Sequence, residues 1–118
     1  MSSPPSRRSL ITLAALVLAA SGASSWWAAH RQQQVGSQVA KLAKAGDIRM
    51  LSSQTCGICT TARLWFNEHR VPFAECFIET DAACAADFAA TRSPGTPVLL
   101  VRGVAQVGFS PERLRDSL

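Results

Sequence analysis

Cys56 and Cys59 stand three positions apart in the stretch "SSQTCGICTTARLWF", residues 52 to 66. Polar residues give way there to a helical pattern, so the first thiol falls at a helix start. Two thiols at that spacing can act as a redox couple, supply half of a metal site, or fill a core. The redox reading has a specific physical logic. Free N–H groups and the helix dipole at a first turn favour an anion, which lowers the Cys56 pKa and raises its thiolate fraction. Cys56 is then the nucleophile toward a substrate disulfide. Cys59, one turn further in and more buried, resolves the mixed disulfide.

Two further cysteines, Cys76 and Cys84, complete the set of four. The run C-x2-C-x16-C-x7-C begins like a zinc knuckle, but its second half is loosely spaced for metal ligands. No metal is therefore expected; a four-cysteine zinc or interaction module without redox turnover is the alternative. Cys76 and Cys84 lie across a strand-to-helix corner, a separation a structural disulfide can span. A relay pair exchanging with Cys56–Cys59, or two buried free thiols, are the other readings. His30 and His69 are too isolated to argue for ligands.

The elements that must position these residues follow from periodicity and caps. "DIRMLSS" (47–53) reads as a strand and 56–69 as a helix with Thr55 as cap. "VPFAECFI" (71–78) reads as a second strand, and 80–92 as a helix capped by Thr80 or Asp81. "TPVLLV" (96–101) is an apolar run suited to a strand buried on both faces. Arg102-Gly103 is a two-residue turn into "VAQVG" (104–108). Ser110 and Pro111 open a last helix. The order β-α-β-α-β-β-α predicts an α/β domain over 47–118, with a mixed four-stranded sheet and three helices.

Strand, "TCGIC", helix, "VPF", helix, "GTPVLLV", "GF", helix resembles the glutaredoxin branch of the thioredoxin superfamily over residues 47 to 118. The resemblance implies a thioredoxin-like fold and a protein-disulfide oxidoreductase with Cys56 and Cys59 catalytic. It implies a cis bond at Thr96-Pro97 and substrate pairing along the Thr96 backbone. Gly108 and Phe109 stand where the family holds its substrate or glutathione, and Ile58, between the cysteines, is placed to touch substrate. Gln54 replaces the family's lysine, and Gly108-Phe109-Ser110-Pro111 lacks its second glycine. Glutathione therefore fits poorly, and no cofactor is expected. "GFSP" is closer to redoxins that draw electrons from thioredoxin reductase. With no histidine between the cysteines, a reductase is the expected direction. Arg63, one turn beyond Cys59, reads as a solvated surface charge with at most a modest effect on the thiolate.

The N-terminus bears on compartment. Arg7 and Arg8 precede an uncharged apolar run, Leu10–Ala29, whose 20 residues span about 30 Å as a helix. Trp26 and Trp27 sit near its far end, where interfacial anchors belong. Residues 1–30 are expected to be a signal anchor in the inner membrane, with the domain facing the periplasm or exterior. Ser21-Gly22-Ala23 also resembles a cleavage site, which would leave a soluble periplasmic protein. Residues 31–46, polar with Val35, Val39 and Leu42 at helical spacing, read as a partly helical linker. Apart from Arg7 and Arg8, ten Lys/Arg face eight Asp/Glu without a basic stripe, so nucleic acid is not a partner. The expected partners are disulfide-containing proteins and a membrane or soluble thiol donor.

Overall fold

The computed structural model describes residues 3–118. The elements are α1 (Arg7–Leu42), β1 (Ile48–Ser52), α2 (Gly57–Glu68), β2 (Ala74–Phe77), α3 (Ala82–Thr91), β3 (Val98–Val101), β4 (Val104–Val107) and α4 (Pro111–Asp116). The chain divides into two units, with the second running from Gln33 to Leu118.

In that second unit the sheet order is β2-β1-β3-β4. β1 and β2 are parallel, with Leu51 opposite Cys76 and Met50 opposite Glu75. β1–β3 and β3–β4 are antiparallel. The crossover through α2 accounts for the parallel pair, and the Arg102-Gly103 turn for the closing hairpin. Both turn residues take positive φ, +50° and +82°, the geometry that matches the twist of a two-residue hairpin.

Strand alternation sorts the side chains onto two faces. Ile48, Met50, Leu99 and Val101 join Ala62 and Phe66 of α2 and Leu114 of α4 in the larger core. Leu51 and Val98 point the other way, toward Cys84 of α3, with Cys76, Ile78, Phe88 and Leu100 around them. The central strands β1 and β3 are thus covered on both sides, and the two cores are unequal.

Residues 31–42 are the C-terminal part of α1. The second unit begins inside α1 rather than at residue 47. Val35, Val39 and Ala43 are buried in the larger core. Gly36 is buried too, because the His69 ring lies where its Cβ would be. A polar composition hid this stripe, since only three or four small side chains per two turns need be apolar to dock a helix. Leu42, expected on the stripe, is 44% exposed, and Ala43 takes its place.

In the first unit, α1 is exposed throughout, Leu10, Ile11, Leu13, Leu16, Val17 and Leu18 included. Trp26 stacks on His30 at 5.4 Å, and the Arg31 guanidinium lies over Trp27 at 5.5 Å. α1 is long and apolar enough to cross a membrane.

Candidate active site

One end of the sheet gathers most of the candidate residues. The pairings Leu51–Val98, Ser52–Phe77 and Val98–Val107 put four connections there. They are residues 53–56 after β1, 78–81 after β2, 96–97 before β3 and 108–109 after β4.

Cys56 and Cys59 are joined by a disulfide with Cα atoms 5.3 Å apart. Cys56, not Thr55, is the N-cap of α2: its backbone is extended, at φ −96° and ψ 107°, and its sulfur accepts the Cys59 N–H at 3.1 Å. The sulfur does at this helix what a Ser or Asp oxygen does at others, because it is the atom next to the unpaired first-turn donors. No acidic residue lies in the first turn of α2, so no side-chain charge there opposes an anion. Cys56 is half-buried, whereas Cys59 is fully buried. Ile58, between them, is 57% exposed.

The Thr96–Pro97 bond is cis. Thr96 is half-buried and Pro97 buried. Gly108 donates its N–H to the Pro97 carbonyl at 2.8 Å, which brings these two candidates together. Its φ of +80° is the left-handed region that glycine enters without a steric penalty. Phe109 turns inward: its ring meets Trp65 at 5.4 Å and Phe66 at 5.6 Å.

Arg63 is not a free surface charge. It forks onto Glu75 at 2.7 and 2.8 Å, and Glu75 also accepts from the buried Ser52 hydroxyl at 2.7 Å. Burial works to raise the Glu75 pKa, but the Arg63 and Ser52 hydrogen bonds outweigh it and hold the carboxyl below its usual range. Arg63 is raised in turn, chiefly by the same hydrogen bond. With its fork engaged, Arg63 has little left to offer a thiolate.

Cys76 and Cys84 form the second disulfide, with Cα atoms 6.0 Å apart. Cys84 is fully buried in the first turn of α3, where Asp81 caps the helix and accepts the Cys84 N–H at 3.0 Å. Arg49, paired with Asp87 at 2.5 Å, points a guanidinium nitrogen at the Cys76 sulfur from 3.5 Å. The cysteines are thus divided between two pairs, one on α2 and one in the smaller core on the other face of the sheet. Among the described residues, no group of three or more His, Cys, Asp or Glu is arranged to hold a metal.

Glu79 is the residue that the sequence did not reveal. Its carboxylate takes hydrogen bonds from the Ser53 hydroxyl and the Gln54 N–H, directly before Cys56. Ser53 and Glu79 are 26 positions apart, and only the parallel pairing of β1 with β2 makes them neighbours.

No family model matches the chain, and no curated protein does. Solved structures do. The thioredoxin-like protein BC3987 is 24% identical, with a TM-score of 0.54 over 60% of this chain and 99% of that one. A point mutant of the same protein gives 22% identity and a TM-score of 0.55, over 60% of this chain and 92% of that one. The chain has a thioredoxin-like fold.

Proposed function

We propose that this chain is a thiol–disulfide oxidoreductase that reduces disulfides of protein substrates outside the cytosol. The observation that carries the proposal is the Cys56–Cys59 pair at the α2 N-cap, with Cys56 partly exposed and Cys59 fully buried. In the reduced protein the Cys56 thiolate attacks one sulfur of a substrate disulfide. A mixed disulfide forms and the other substrate sulfur leaves as a thiolate, which takes up a proton. Cys59, deprotonated, attacks Cys56 and releases the second substrate thiol. Two electrons pass to the substrate, and the protein is left in the disulfide form described above. A thiol donor must then return two electrons.

The N–H that Cys56 accepts from Cys59 is available to a Cys56 thiolate as well, and a charge-assisted bond is the stronger of the two. Ile58, Thr96, Pro97 and Gly108 are proposed to meet the substrate, with Phe109 supporting Gly108 from beneath. No cofactor takes part in this scheme. Residues 10–29 are proposed as a membrane anchor, supported by their uncovered apolar side chains and by Arg7 and Arg8 on one flank. The docking of 35–43 into the second unit is compatible with either an anchor or a cleaved leader, since both leave that stretch intact.

The test is a redox titration of the full chain in detergent, with alkylated Cys56 followed by mass. A midpoint near −270 mV, about that of thioredoxin, is expected for a reductase, whereas one near −120 mV would make the protein a disulfide donor. A Cys56 that never titrates would sink the dithiol reading.

A further inference from the structure

Glu79 lies inside the loop that the Cys76–Cys84 bond closes, and its side chain leaves that loop to reach Ser53 and Gln54, in the turn before the other disulfide. Its two oxygens lie 3.2 and 3.3 Å from the Gln54 N–H, and it also accepts from the Ser53 hydroxyl. The Ser53 hydroxyl takes the Thr55 N–H at 3.4 Å, and the Ser53 carbonyl takes the Cys56 N–H at 3.2 Å. Glu79 thus holds the side chain of Ser53 and the backbone of Gln54, and the Ser53 carbonyl in turn holds the backbone of Cys56.

The turn that carries Glu79 is anchored at both ends. On one side Ile78 donates to the Ser52 carbonyl and Asp81 to the Phe77 carbonyl, each at 3.0 Å. On the other, Cys84 is the one fully buried residue of α3, so the disulfide fixes that end, with Phe88 and the Arg49–Asp87 pair holding the helix further along. Resting on the reading of Cys56 as nucleophile, we propose that Glu79 is a positioning residue for Cys56 and that the Cys76–Cys84 disulfide holds Glu79 in place. The second disulfide thereby sets the reactivity of the first. Opening it takes two electrons and two protons from an external thiol pair, which leaves as a disulfide.

Glu79 acts on Cys56 in two opposing senses. Its negative charge disfavours a thiolate, but the carboxylate is exposed and solvent screens it. Its hydrogen bonds fix the turn that presents Cys56 to the α2 N-terminus, which favours a thiolate. Of the other charges near this end, Arg63 and Glu75 neutralise each other as a pair, and the Asp81 carboxylate is turned onto the Cys84 N–H at the α3 N-terminus. Positioning therefore outweighs charge.

The full chain in detergent, with Cys56–Cys59 reduced, is alkylated with iodoacetamide across pH, and the Cys56 peptide is followed by mass. Glu79→Ala is expected to raise the midpoint of Cys56 alkylation by about half to one pH unit, the size of one lost cap-like bond, and to slow alkylation about three- to tenfold below it. Glu79→Gln keeps an acceptor without the charge and is expected to recover most of the loss. Cys76→Ala/Cys84→Ala moves the midpoint the same way, and adding Glu79→Ala to it changes little more. Cys76→Ala/Cys84→Val, which refills the buried site, replaces that variant where it does not fold. A downward shift in both Glu79 variants would mean that charge alone acts, and it would overturn the proposal, as would no shift. So would independent, additive effects of Glu79 and the disulfide. A wild-type Cys56 with no thiolate midpoint would overturn the dithiol reading and this inference together.

Discussion

The two disulfides are the same bond in two settings, on either face of one sheet. Cys56–Cys59 closes three residues at an exposed helix start and ties nothing to anything else. Cys76–Cys84 closes eight and fastens an alanine-rich helix to an edge strand. The larger core has aromatic and aliphatic side chains from α1, α2 and α4 to hold it. The smaller one has only Leu51, Val98 and Cys84 fully buried. A face with little apolar area to bury gains most from a covalent tie, because the tie lowers the entropy of the unfolded chain. The difference in surroundings separates a bond suited to exchange from one suited to hold.

The contrast can be broken at several points. Cys56→Ser is expected to abolish disulfide reduction in a protein that still folds, and Cys59→Ser to accumulate mixed disulfides with substrate. Full turnover by the Cys56 variant would end the functional reading. Cys76→Ala/Cys84→Ala is expected to cost about 2.5 kcal/mol by loop entropy. Thermal unfolding should fall by roughly 10–20 °C, with hydrogen exchange rising first in α3. Equal exchange across both faces would show that the second disulfide is not a local staple.

Gly36→Ala probes the opposite face. The new methyl meets the His69 ring, itself packed on Trp65 at 4.6 Å, and overpacking of this kind costs about 1–3 kcal/mol. The loss should appear in residues 35–43 and spare α3, and Gly36→Ala/His69→Ala should restore part of it. Graded reductant should open Cys56–Cys59 before Cys76–Cys84, because a leaving Cys56 thiolate keeps the Cys59 N–H at the α2 N-cap; mass after alkylation reads the order.

The smallest effect is on pH. Glu79 is held below its ordinary value near 4.5, first by the Ser53 hydroxyl and then, against slight burial, by backbone N–H groups including that of Gln54. A lowered folded pKa means that the contribution is complete above the ordinary value and lost as pH falls through the folded one. Protection of the Gln54 amide should therefore hold at pH 6 and fade below about 4.5. Constant protection down to pH 3 would remove Glu79 from the account.

The sequence by itself determined the β-α-β-α-β-β-α order, the cap at Ser110, the Arg102-Gly103 turn and the place of the Cys56–Cys59 pair at a helix start. These are local matters, written in periodicity and in residues whose side chains serve their own neighbours. Only the tertiary structure decided that Val35, Gly36, Val39 and Ala43 belong to the core, because a sparse stripe of small residues shows its face only once His69 and Phe66 stand opposite. Likewise it took the sheet to decide that Arg63 is engaged by Glu75 and that Glu79 grips the loop before Cys56. Each of those partners arrives on a different strand, and strand register follows from how both faces of the sheet fill, not from any short stretch of chain.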